Sequence, residues 1–266
     1  MKKNVLAFIV ALIPAITIAQ SFQGKVTYEW KASSEEFRKN VIQPDMPPEM
    51  AKFIEAKMKL MFHKVYVLEF NKTNSLYKEE RIMTATGDDF VPNNSDDGAK
   101  IAYFKKIKTK EFVEQREFYG KYFAIKDSLP VIQWKLESET KKIGDYLCHK
   151  ATAVVPIKIT REEDEEEKST NFFQKKEKPT EKTITAWYAP EIPVSQGPEN
   201  YWGLPGLILE VNDGNAVTLC TKIVLNVKEK LEIKPQSKGK TVTQKQYDEI
   251  VIKKNKELSE TETTPD

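Results

Sequence analysis

The chain has 266 residues, of which 42 are basic and 40 acidic, with only two histidines and two cysteines. This balance leaves no electrostatic footprint for nucleic acid or an anionic membrane, both of which favour a clustered basic excess. The few His and Cys side chains also lack the ligand spacing of zinc, iron-sulfur or haem sites, so neither a metal nor a cofactor is expected.

Residues 1–19 open with Lys2 and Lys3, continue through an apolar run from Val5 to Ile18, and end at Ala19 before Gln20, the pattern of a secretory signal peptide. The run contains Pro14 and falls short of the ~18 to 20 residues that a spanning helix needs. The mature chain is therefore expected to be exported, to the periplasm or cell surface, without a transmembrane segment. Loss of Lys2 and Lys3 leaves basic and acidic residues equal in number. Residues 20–258 read as one β-rich domain, and 259–266 as a disordered polar tail.

From Phe22 to Trp30, Val26, Tyr28 and Trp30 alternate with Lys25, Thr27 and Glu29, which predicts a strand with one buried face. After Pro44, Pro47 and Pro48, the residues Met50, Phe53, Ile54, Met58, Met61 and Phe62 recur at helical spacing. They predict an amphipathic helix, Glu49 to Phe62, whose methionine-rich face packs on a sheet. Val65 to Phe70 and Ser75 to Met83 read as a hairpin about Asn71 to Asn74, and Thr84 to Ala99 as an exposed loop. Further strands are predicted at Ile101 to Lys108, Glu111 to Phe118, Lys121 to Ile125 and Val131 to Leu136, with Trp134 as a core anchor. Gly144-Asp145 turns the chain into a long strand reaching Ile159, with Thr183 to Tyr188 as its partner. Residues 160–182 between them carry the acidic run Glu162 to Glu167 and then a lysine-rich half. Such blocks of like charge read as a mobile insertion, and EF-hand spacing is missing for a calcium site.

The most specific stretch is Gly197-Pro198-Glu199-Asn200-Tyr201-Trp202-Gly203-Leu204-Pro205-Gly206-Leu207-Ile208-Leu209-Glu210-Val211. Leu204 to Leu207 reads as a tight turn, because proline fixes φ and glycine accepts positive φ. Leu207 to Val211 then reads as a buried strand, and Asn212-Asp213-Gly214-Asn215 as a hairpin turn into a long strand starting at Ala216. Near the end, Thr243 and Gln246 form a capping box, and Val242 can staple against Tyr247 at the start of a helix from Gln244 to Leu258. The expected fold is mainly β (α+β): one curved antiparallel sheet, half-barrel-like, with a helix near each end. A β-sandwich is the alternative.

Together with Ile143-Gly144, Cys148, Lys150-Ala151, Ala186-Trp187-Tyr188, Glu191-Ile192-Pro193 and Gly197-Pro198, the Gly203 to Ile208 segment resembles the signature of the GLPGLI family. These are secreted bacterial proteins of unassigned activity, so the resemblance implies that the segment matters but names no reaction. The residues themselves read as a binding loop for an apolar small molecule or an envelope protein. Trp187, Tyr188, Tyr201 and Trp202 would supply aromatic surface, while Gly203, Leu204, Pro205 and Gly206 hold the backbone rigid. The competing reading is that these side chains plug the open end of a sheet.

Catalytic groupings are sparse. There is no Gly-x-Ser-x-Gly elbow, and neither His63 nor His149 sits in a motif. Glu210 is the weak catalytic candidate, because an acid within an apolar strand has its pKa raised by burial; Glu191, Glu199 and Asp213 lie nearby in sequence. The alternative functions are therefore a hydrolase of envelope polymers and a structural or adhesive surface component. An exported chain folds where thiols oxidise. Cys148 and Cys220 are expected to form a disulfide that contributes about 4 kcal/mol by loop closure, the alternative being two buried thiols.

Overall fold

A computed structural model of the chain describes residues 22–43, 46–80, 101–157 and 180–262. The leader at 1–19, the loop Thr84 to Ala99 and most of the 160–182 insertion lie outside the described residues. In chain order the elements are β1 (Gln23–Ala32), α1 (Glu35–Val41), α2 (Pro48–Phe62), β2 (His63–Asn71), β3 (Asn74–Glu79), β4 (Ile101–Lys106), β5 (Glu111–Phe118) and β6 (Lys121–Ser128). They continue with β7 (Lys135–Ile143), β8 (Tyr146–Pro156), β9 (Glu181–Ala189), β10 (Leu207–Asn212), β11 (Ala216–Leu225), β12 (Lys240–Val242) and α3 (Gln244–Glu262).

All the described strands join one open sheet in the order β12-β6-β5-β4-β3-β2-β1-β11-β10-β9-β8-β7. Two antiparallel meanders, β2 to β6 and β7 to β11, thus meet on either side of β1. The short β12 alone runs parallel to its neighbour, β6.

This order forces curvature. β6 and β7 stand ten strand spacings apart, which is ~48 Å measured along the sheet. They are joined only by Leu129 to Trp134, a connector that spans at most ~25 Å when fully extended. The sheet must curl until its two margins approach, which gives the expected half-barrel rather than a sandwich.

Several sequence expectations change. Residues 131–134 form no strand; the chain there crosses between the sheet margins, and regular pairing starts at Lys135. β7 itself, Lys-Leu-Glu-Ser-Glu-Thr-Lys-Lys-Ile, is charged along its length, as suits an edge strand that must resist pairing with other chains. The C-terminal helix extends past Leu258 to Glu262. Its capping box forms: Gln246 N–H donates to Thr243 Oγ1 at 3.3 Å and Thr243 N–H to Gln246 Oε1 at 3.0 Å. Val242, Tyr247 and Val251 then pack on Phe123 and Ile125 of β6.

The face of the sheet under α3 is the inner face. Register aligns Val26, Leu68, Tyr77, Tyr103, Glu114 and Ile125 in one row across it. The alternate side chains Leu76, Ala102 and Phe104 are covered from the other side by Leu231 and Ile233. β3 and β4 are thereby buried on both faces. At the far end, α2 lays only Met58 fully against the strands, while Met50, Phe53 and Met61 stay exposed. The methionine-rich face therefore does not pack as expected, because the sheet accommodates one stripe of the helix and not its neighbour.

Candidate functional site: the loop before β10

The segment 190–206 joins β9 to β10 and lies on the inner face. Its return is tied to its own start: Leu207 N–H donates to Ile192 O and Ile208 N–H to Gln196 O, both at 3.0 Å. Gly206 makes this possible by its lack of a side chain, since a Cβ would stand 2.4 Å from Ala189 O. Gly203 serves differently, through a φ of +96° that other residues rarely adopt. Leu204, Leu207, Ile208 and Leu209 are then buried, as the turn-into-strand reading requires. Asp213 serves its hairpin, its Oδ1 accepting from Asn215 N–H at 3.0 Å and Ala216 N–H at 2.8 Å.

What fastens the loop across the sheet is a lysine. Lys105 of β4 is fully buried, and its ammonium donates to the carbonyls of Gly197 and Glu199 at 2.6 Å and of Tyr201 at 3.1 Å. Three acceptors use all three N–H donors of an ammonium. Burial pulls the Lys105 pKa down to about 7, and the carbonyl acceptors work against that loss of its proton. Beside it Ser75 Oγ donates to Gln196 Oε1 at 2.8 Å, and Tyr28 OH donates to Ile208 O at 2.7 Å.

Around these anchors is a polar cluster. Tyr66 stacks on Tyr77 with centroids 4.7 Å apart, and Tyr103 OH accepts from Arg116, which is also paired with Glu114. Tyr77 OH and Gln196 Nε2 are buried and have no hydrogen-bond partner among the described residues. Glu199, at a left-handed φ of +44°, turns its carboxyl into this cluster. Burial first, then the Asp213 and Glu114 carboxylates, push that carboxyl up to about 7, with Lys105 opposing.

At the rim the two indoles exchange bonds with backbone. Trp134 Nε1–H donates to Trp202 O at 2.8 Å, and Trp202 Nε1–H donates to Pro130 O at 2.9 Å. Trp202 and Tyr201 are half-buried, Gly203 and Pro205 are exposed, and Val131 is 65% exposed. Tyr188 and Leu204 are interior, so they offer no surface. Trp187 is half-buried elsewhere, under the Lys141 ammonium 4.4 Å from its ring. That same ammonium holds Glu210 at 2.6 Å, so the carboxylate expected to stand among apolar neighbours is ion-paired.

Cys148 and Cys220 are both buried free thiols, not a disulfide. They lie on β8 and β11, three strand positions apart, a backbone separation of ~14 Å against the ~4 to 7 Å that a disulfide bridges. Among the described residues no group of three or more His, Cys, Asp or Glu converges on a metal position. Lys105, Ser75, Tyr77 and Tyr103 are the site residues that sequence reading did not single out, whereas Glu199 is one of the acids that the sequence places near the motif.

The sequence matches a family described as "Protein of unknown function (Porph_ging)" over residues 134–210, an interval that runs from the Trp134 indole through the loop into β10. No curated protein sequence matches the chain. Among solved structures, PNGF-II in crystals of space group C2, and again of P21, is similar with a TM-score of 0.49 and 16% identity. The similarity covers 87% of this chain and 33% of that one, so the chain spans about a third of PNGF-II.

Proposed function

We propose that the chain is an exported cell-envelope protein of the GLPGLI type whose Tyr201–Gly206 ridge binds an apolar ligand or partner protein. The observation that carries this reading is the fixed indole of Trp202. Its N–H is committed to Pro130 O and its carbonyl to Trp134, yet the residue keeps part of its surface beside exposed Gly203, Pro205 and Val131. A rigid aromatic at a rim loses little entropy on contact, which is why such residues anchor interfaces. The family match over residues 134–210 supports the reading by spanning both indoles.

Native mass spectrometry of the protein purified from its own envelope is the test. The expected result is a bound apolar molecule or partner that is lost in Trp202→Ala while the fold persists. An empty wild-type protein, or retention by Trp202→Ala, overturns the proposal. Turnover of an envelope polymer that depends on Glu210 would favour the hydrolase alternative, which requires that carboxylate to leave Lys141.

A further inference from the structure

Tyr28, Tyr66, Tyr77 and Tyr103 form an aromatic patch on the inner face of the sheet. Tyr77 is its centre: it stacks on Tyr66, meets Tyr28 edge-on at 6.1 Å and lies 6.4 Å from Tyr103, its cross-strand partner. Lys105, two residues beyond Tyr103 and so on the same face, holds the Glu199 carbonyl beside this patch. The Glu199 carboxyl is then the charge that acts most strongly on the hydroxyls of Tyr77 and Tyr201, and it acts on those of Tyr66 and Tyr103 as well. Four phenols face one carboxyl. Tyr103, Glu199 and Tyr201 are only half-buried, so this corner is open to solvent.

The neighbouring charges are already committed. Glu114 is paired with Arg116 and Asp213 with Lys182, while the three donors of the Lys105 ammonium are taken by carbonyls. The Glu199 carboxyl has neither a hydrogen bond nor an ion pair among the described residues. Of the charges that act on it, Asp213 and Glu114 weigh more than Lys105 and Lys182. Burial in this acidic field lets the carboxyl keep a proton up to about 7, and a cation at the same place would take the proton's role. Tyr77 is fully buried and its hydroxyl is unpartnered, which adds an acceptor oxygen facing the same space. Gln196 Nε2, the other unpartnered group, is a donor and takes no part in holding a cation.

The chemistry selects among ions. An anion would meet the carboxylates and no free donor cation. A divalent metal ion takes ~6 oxygen ligands or more, usually with several carboxylates among them, and here one carboxylate is free. A single ammonium group asks for one carboxylate and a few hydroxyl acceptors.

We propose that the Glu199 carboxyl and the phenol oxygens of Tyr66, Tyr77 and Tyr201 bind a small organic ammonium ion. The site shares Tyr201 with the ridge but does not use Trp202, and it does not depend on the function proposed for that ridge.

Propylammonium chloride titrated into the full chain, followed by the NMR shifts of backbone amides and tyrosine rings, is the test. Saturable shifts are expected at Glu199 and Tyr77, with propanol at least about tenfold weaker and propionate without effect. Affinity should rise about tenfold between about pH 5 and pH 6, because the ammonium, charged throughout, replaces the Glu199 proton. Glu199→Gln should remove that pH dependence and weaken binding at least about tenfold at neutral pH. Tyr77→Phe, which keeps the ring and drops the hydroxyl, should weaken it about threefold. Both variants should keep the amide dispersion of the wild type, and Trp202→Ala should bind as the wild type does. No saturable binding, propanol as tight as propylammonium, a tighter response to Ca²⁺, indifference to Glu199→Gln, or loss of binding in Trp202→Ala would overturn the assignment.

Discussion

The Lys105 ammonium stands 2.6 Å from the Glu199 carbonyl oxygen, linking the end of β4 to the loop before β10. Two further carbonyls complete its coordination, so one side chain ties the loop to the sheet beside Ser75, its cross-strand neighbour on β3.

Lys105→Met keeps the length of the side chain and removes the donors. One buried and two part-buried carbonyls then lose their partner, with an expected destabilisation of about 2 to 4 kcal/mol. Urea unfolding measures the loss. Amide exchange at Ile208, whose N–H is held by Gln196 O, should accelerate ahead of global unfolding; unchanged exchange there would remove the fastening role.

Glu199 makes stability depend on pH. Its carboxyl binds a proton up to about 7 in the folded chain, against 4.5 when unperturbed. Its stabilising share is therefore complete below 4.5 and fades as pH rises toward 7. Glu199→Gln should abolish that decline and raise Tm at pH 8 relative to wild type. Parallel Tm-against-pH curves for the two proteins would contradict the assignment.

The two motif glycines should respond differently to alanine. Gly203→Ala meets nothing closer than Trp134 at 3.9 Å and bears only the cost of its φ, about 1 to 2 kcal/mol. Gly206→Ala drives a methyl into the Ala189 carbonyl and should cost about 3 kcal/mol or more. Equal losses in denaturant titration would mean that the close approach at Gly206 relaxes freely.

Burial pushes the thiol of Cys148 up to about 11 and that of Cys220 up to about 12. Neither should react with iodoacetamide in the native protein near pH 7.5, and both should be alkylated in guanidinium without any reductant. Intact mass provides the readout. Alkylation that appears only after reduction would establish a disulfide instead.

The sequence was most legible where pattern and burial agree. Val26, Tyr28 and Trp30 declare a strand with one inward face, and Thr243 with Gln246 declares a helix start because the two bond reciprocally. The change of direction before Leu207 was legible too, but as a bend and not a tight turn: Gly206 is required by the close approach of Ala189 O and not by a positive φ. Lys105 was not legible. In Ile101-Ala102-Tyr103-Phe104-Lys105-Lys106 both alternating sets are largely apolar, and nothing local says which lysine turns inward. Its acceptors lie over ninety residues away, so the site exists only after the sheet has curled. Edge strand β7 was obscured for the opposite reason: charge on both faces erases the period-two signal.

The placement of β1 has a consequence for assembly in time. Its flank toward β11 is satisfied only when Gly24 meets Leu225, about two hundred residues downstream. During synthesis the chain must therefore carry a half-built scaffold with one raw seam until Leu225 is available. Such distant pairing is slow to nucleate, and an unpaired strand is a template for unwanted partners. The β7 to β11 meander is thus the molecule's own cover for β1.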